Sequence, residues 1–206
     1  MMETNFWLIR HALVDENARA FLYGVMDVPL CEPTLLEQAP MYRALAARLP
    51  RPATWLVTPL SRTRRTAETI FAHGYPAQPL QVEAGLIEQS LGEWQGLPHA
   101  ELPPRLALPK HAFWPLAGHE KPPGGESMAE VIARVGEAME RLAVDHAGRD
   151  VVIISHGGAI RGAVAHALGI GPDNALHMAV QNLGLTRLEH TPEGWRVVCV
   201  NELPGY

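Results

Sequence analysis

Short apolar runs rich in β-branched and aromatic residues alternate along this chain with longer segments whose apolar positions recur at helical spacing. The runs at 5–9, 54–57, 80–82 and 151–155 predict strands. The run at 151–155 is apolar on both faces, as a central parallel strand should be. Two later runs, 184–189 and 196–201, predict strands joined by the turn His190-Thr191-Pro192-Glu193-Gly194. Between the runs, helical spacing covers 35–49, 61–72, 127–146 and 158–168. Pro40 should interrupt the first helix or shift its start. Ser61 is the expected N-cap of the second, and Ser127 with Glu130 forms a capping-box pattern for the third. Gly169 should end the fourth.

Strands alternating with helices predict an α/β fold of three layers, with a mostly parallel central sheet and helices on both faces. The length, 206 residues, suits a single domain over 1–206. One stretch breaks the alternation. Residues 97–125 carry Pro98, Pro103, Pro104, Pro109, Pro115, Pro122 and Pro123, which marks a cap or insertion rather than a core element.

Composition narrows the function classes. The formal net charge of −5 lacks the basic excess of a nucleic-acid binder, so no nucleic-acid partner is expected. No segment approaches the roughly 20 apolar residues of a membrane span, and the N-terminal apolar stretch is too short for a signal peptide. Cys31 and Cys199 sit in no metal spacing and read as free thiols, pointing to a cytoplasmic protein. The histidines show no HxxxH or HExxH pattern, so neither a metal nor another cofactor is expected. The oligomeric state stays open, a homodimer included.

Three polar, cationic segments directly follow predicted strands: Arg10-His11, Thr58-Pro59-Leu60-Ser61-Arg62 and His156-Gly157-Gly158. Parallel strands bring their carboxyl ends to one edge, where open α/β sheets bind ligands. Two arginines and two histidines there make a pocket for a multiply charged anion. Arginine offers a planar fork to phosphate oxygens. Histidine is largely unprotonated at neutral pH and can attack phosphorus. The expected ligand is therefore a small phosphorylated molecule.

The order of motifs resembles the histidine phosphatase superfamily, also called phosphoglycerate-mutase-like, over nearly the whole chain. Leu8-Ile9-Arg10-His11 looks like the start of its Arg-His-Gly signature, and Asn17 follows at the spacing of a phosphate-contacting asparagine. The segment from Gly24 to Leu30 looks like its Gly-x-x-Asp-x-Pro-Leu element. Thr58-Pro59-Leu60-Ser61-Arg62 with Thr66-Ala67 is similar to its Ser-Pro-Leu-x-Arg and Thr-Ala motif. Glu88 followed by Gly92-Glu93-Trp94-Gln95-Gly96, then Gly124-Gly125-Glu126-Ser127, then Ser155-His156-Gly157-Gly158 complete the series. The resemblance implies that His11 is the phosphorylated nucleophile and that Arg10, Arg62 and His156 hold the phosphoryl group. It also implies that Glu88 is the general acid, and that Asn17, Gly24 and Gly157 contribute to substrate binding. Like charge on a bound phosphate would help a neighbouring carboxyl keep the proton it donates.

The chain departs from the family pattern at Ala12, which replaces a glycine, and at Thr58, which replaces a serine but keeps the hydroxyl. After Leu30, Thr34 and Leu35 stand near the family's helix-start glycine. Arg64 and Arg65 read as solvated, Glu126 as structural, and the remaining histidines as surface or satisfied core residues. Three functions follow: a phosphomonoesterase, a phosphoglycerate-mutase-type isomerase, or a non-catalytic phospho-ligand binder. The acid Glu88 argues against the binder. Leaving-group specificity is expected from 97–125, where Arg105, Lys110, His111, Trp114, His119 and Lys121 could reach a substrate.

Overall fold

A computed structural model describes residues 3–205. The apolar runs form six strands: β1 (Thr4–Arg10), β2 (Thr54–Val57), β3 (Leu80–Val82), β4 (Asp150–Ser155), β5 (Leu185–Thr191) and β6 (Gly194–Glu202). They join into one sheet in the order β3-β2-β4-β1-β5-β6. β4 lies between β2 and β1 and is parallel to both, and β3 extends the parallel part beyond β2. β5 and β6 add an antiparallel edge beyond β1.

Among the described residues seven helices accompany the sheet: α1 (Glu16–Arg19), α2 (Glu32–Glu37), α3 (Ala39–Arg48), α4 (Ser61–Ala72), α5 (Met128–Asp145), α6 (Gly157–Leu168) and α7 (Pro172–Ala175). The period-two alternation of the strands divides them between two cores. Phe6, Leu8, Leu56, Val151 and Ile153 face α5 and α6, where Val131, Val135, Met139, Ile160 and Val164 meet them. Ile9, Trp55, Val57, Val152 and Ile154 face the opposite side, against Tyr42, Leu45, Ala67 and Ile70 of α3 and α4. The sheet is thus covered on both faces, as the sequence predicts.

Three local departures have physical reasons. The helix expected over 35–49 breaks at Gln38 into α2 and α3. Pro40 then sits in the first turn of α3, where a missing N–H leaves no bond unmade. Ser61 is the first residue of α4 rather than its cap. Asp27, 34 residues upstream, satisfies that helix start by accepting from Ser61 N at 2.9 Å and Ser61 Oγ at 2.7 Å. β5 and β6 run longer than expected, leaving a shorter turn between them. The capping box of α5 forms as read, with Ser127 and Glu130 bonding each other's backbone N–H.

The proline-rich segment 97–125 holds two 3-10 turns, His99–Glu101 and Pro103–Arg105. It is anchored by an apolar cluster of its own, in which Leu102 and Leu116 pack with Leu22, Leu91 and Trp94. Buried Glu120 ties the segment to itself by accepting from Ala107 N at 3.0 Å and Leu108 N at 2.6 Å. The backbone at 90–92 lies directly against that at 123–125. Gly92 has φ +50°, and a Cβ there would stand 2.1 Å from Pro123 O. Gly92→Ala should therefore lower stability by about 2 kcal/mol or more through backbone strain and a clash with main chain that cannot swing aside. Thermal unfolding checks this, and a melting temperature equal to wild type would show that the two segments separate at little cost.

Candidate active site

The site follows from strand register. Arg10 of β1 stands opposite Ser155 of β4, so the next residues, His11 and His156, leave adjacent parallel strands side by side. Both are buried, and their rings meet edge-on with centroids 5.1 Å apart. β2 flanks β4 on the other side and delivers Thr58, whose Oγ1 lies 2.8 Å from His156 Nε2. The hydroxyl common to serine and threonine is the part this site uses. Ala12 fits without strain, because it is not among the positive-φ residues and its N–H donates to Thr66 Oγ1 at 3.0 Å.

The hydrogen bonding of His11 sets its tautomer. Nδ1 lies 2.7 Å from Ala12 O. A carbonyl can only accept, so Nδ1 carries the proton and the lone pair of the neutral ring sits on Nε2. Burial, and then the charges of Arg62 and Arg10, hold the pKa of His11 well below the usual histidine value. His156 is lowered likewise, by burial first and then by His11 and the arginines. Both rings are therefore neutral at physiological pH. Asn182 Nδ2 donates to His11 O at 2.8 Å and fixes the backbone behind the ring.

The arginines are gripped by backbone carbonyls. Arg62 donates to Met26 O at 2.7 Å and to Gly24 O at 2.8 Å. Gly24 thus reaches the site through its carbonyl. Arg10 donates to Val180 O at 2.6 Å. The Nε groups of both arginines are buried with no protein partner. Glu88 sits at the start of α6, where its Oε1 accepts from Gly158 N at 3.0 Å. Position 158 must be glycine for that approach, since a Cβ there would fall 2.3 Å from Glu88 Oε1. Gly157, the first residue of α6, lines the same cavity as Arg10, Gly24 and Glu88.

Seven of the eight residues expected at the site converge here. Asn17 does not join them. It is exposed on α1, and its amide donates to Asp15 Oδ1 at 3.1 Å. Of the cap residues expected to reach a substrate, Trp114 lines the cavity, whereas Arg105 pairs with Glu101 and Lys121 with Glu130. Glu126 is structural, as read: it pairs with Arg134 and accepts from Ser90 N at 3.0 Å. Arg134 in turn donates to Gly85 O and Ile87 O, holding the loop that carries Glu88.

Arg161 is the residue that sequence reading missed. It is buried behind the site, donates through Nε to Met178 O at 2.9 Å, and packs 4.4 Å from the Trp114 ring. Its Nη1 has no partner and lies on the Gly157 side. Burial pushes its pKa down to about 10, with Arg10 adding to that and Glu88 opposing it, so it stays charged at neutral pH. A signal was present: Arg161 is the one arginine or lysine on α6, whose only other polar side chain is His166.

A doubly covered α/β sheet with buried histidines and arginines at the carboxyl ends of its parallel strands defines a protein built to hold a compact anion. Residues 6–203 match the histidine phosphatase superfamily (branch 1), and the chain belongs to that family. It is 31% identical over 180 residues to a glucosyl-3-phosphoglycerate phosphatase of Mycolicibacterium vanbaalenii, spanning 81% of this chain and 75% of the relative. It is 28% identical over 175 residues to a 2,3-bisphosphoglycerate-dependent phosphoglycerate mutase of Cytophaga hutchinsonii, spanning 83% and 80%. The native structure of a mycobacterial glucosyl-3-phosphoglycerate phosphatase superposes with a TM-score of 0.77 at 25% identity, covering 97% of this chain and 99% of that one. Among the described residues no helix is long and apolar enough to cross a membrane.

The tautomer and charge state of His11 can be read directly. Imidazole 15N NMR should show His11 as the Nδ1–H form, with its protonation midpoint below the unperturbed value of about 6.5. A midpoint at or above that value, or a proton on Nε2 of the neutral ring, would contradict the geometry.

Proposed function

We propose that this chain is a metal-independent phosphomonoesterase that acts on a small phosphorylated metabolite through a phosphohistidine at His11. The observation that carries the reading is the bond from His11 Nδ1 to Ala12 O, which leaves Nε2 as an unprotonated nucleophile beside the arginines. The phosphoryl dianion is bound by the unpartnered N–H groups of Arg10 and Arg62, with His156 at its side. His11 Nε2 attacks phosphorus as the bond to the leaving oxygen breaks, and Glu88 delivers a proton to that oxygen. Water then attacks the phosphohistidine, giving inorganic phosphate and free His11. Fixed positive charge stabilises the transferring group in both steps. The unpaired thiols Cys31 and Cys199 support a reducing, cytoplasmic setting.

Two mutations test the roles. His11→Ala should abolish phosphate release, measured with EDTA present, and should form no acid-labile 32P-labelled enzyme, because positioning alone does not replace a nucleophile. Wild-type turnover in this variant would remove His11 from the mechanism. Glu88→Gln should slow alkyl phosphates by about 10²-fold or more while changing p-nitrophenyl phosphate much less, because a good leaving group needs little protonation. Equal losses for the two esters would take the acid role away from Glu88.

A further inference from the structure

The cavity next to His11 has a volume of about 160 Å³, enough for a group the size of a benzene ring. Its inner end is the phosphoryl centre, at Arg10, Glu88 and Gly157. Its outer wall is formed by Phe21, Tyr23, Leu91, Trp114, Pro115 and Leu116. Among the described residues, the lining carries no Lys, Arg, Asp or Glu apart from Arg10 and Glu88, and both serve the phosphoryl centre. Two of the other polar side chains, Gln89 and His99, are engaged, which leaves the Tyr23 hydroxyl and the Trp114 indole N–H as the remaining polar side-chain groups of the wall. Gln89 Nε2 donates to Glu126 O at 2.7 Å, and His99 Nε2 lies 3.1 Å from Arg19 O. Arg161 stands behind Trp114, off the lining, with the indole ring over its guanidinium.

A sugar acid or polyol in this pocket would lose water from several hydroxyls and a carboxylate and gain few partners in return, which is costly. A flat apolar group would instead lie against the rings of Phe21, Tyr23 and Trp114. Phe21 is 40% exposed and stands at this wall with ring surface free to be covered. The wall is also held in place. Leu22 N donates to Leu97 O at 2.9 Å and Gly96 N to Leu22 O at 2.8 Å, fixing the strip that carries Phe21 and Tyr23.

We propose that the preferred substrates are phosphomonoesters of aromatic or arylalkyl alcohols rather than of sugar acids, with Trp114 and Phe21 setting the preference. The inference rests on the phosphatase reading above. It sets this chain apart from the glucosyl-3-phosphoglycerate phosphatases that it matches.

The test compares three esters with alkyl leaving groups on the purified chain: 2-phenylethyl phosphate, ethyl phosphate and 3-phosphoglycerate. The expected kcat/KM for 2-phenylethyl phosphate exceeds that of the other two by about tenfold or more, the range set by burying one ring. Trp114→Ala should cut the phenylethyl-to-ethyl ratio by about fivefold or more through KM, and Trp114→Phe should restore most of it. Phe21→Ala, on a different segment, should lower the same ratio if Trp114→Ala fails to fold. A kcat/KM for 3-phosphoglycerate equal to or above that for 2-phenylethyl phosphate would overturn the proposal and leave the phosphatase reading standing. So would an unchanged ratio in the folded variants. No phosphate release from any of the three esters would instead overturn the phosphatase reading, and this inference with it.

Discussion

Arg10 stands opposite Ser155 in the parallel ladder between β1 and β4, and the chemistry of the molecule depends on that register. It puts His11 and His156 one step beyond the last paired residues of these two strands. The same register directs Phe6 and Leu8 towards α5 and α6, and Ile9 towards α3 and α4. A slip of one residue would exchange the two core faces of β1 and pull the histidines apart. Packing on both faces of the sheet thus enforces the alignment that the site needs, and stability and site geometry rest on the same interaction.

Charge at the site is organised around that alignment in an uneven way. Arg10, Arg62 and Arg161 are held by backbone carbonyls of Val180, Gly24, Met26 and Met178. Carbonyls orient a guanidinium without cancelling its charge, so Arg10 and Arg62 keep N–H groups to offer an incoming anion, while Arg161 stands behind Trp114. Together with burial, the charges of Arg10 and Arg62 keep the histidines neutral. Buried charge without a full complement of partners is a cost to the folded state that an arriving dianion relieves.

The loops around the sheet supply shape and rigidity to this centre. Arg134 pairs with Glu126 and donates to the carbonyls of Gly85 and Ile87, and Glu126 accepts from Ser90 N, so the loop carrying Glu88 is held by side chains outside the cavity lining. The proline-rich segment 97–125 forms a wall of the cavity: prolines limit its backbone, Glu120 accepts from Ala107 N and Leu108 N, and Leu102 and Leu116 pack with Leu22, Leu91 and Trp94. What that wall shows to the cavity is mostly carbon, and Arg105 and Lys121 pair with Glu101 and Glu130 away from the lining.

By itself the sequence determined the strands, the long helices and the sheet edge where the site would form. Those features are local: apolar periodicity, a capping box at Ser127 and Glu130, and cationic residues placed directly after strands. The family motifs carried His11, Arg10, Arg62, Glu88 and His156 for the same reason, being short and contiguous. Contacts between distant segments were decided only in the tertiary structure. Asp27 rather than Ser61 satisfies the start of α4, because the carboxylate arrives from a loop far upstream. Asn17 turned to its neighbour Asp15, a choice that motif spacing does not encode. Arg161 gained its place through the helix phase of α6 and the arrival of Trp114 from the cap. The direction of the cap's cations was equally illegible, because a lysine or arginine in a sequence carries no record of which carboxylate folding will bring beside it.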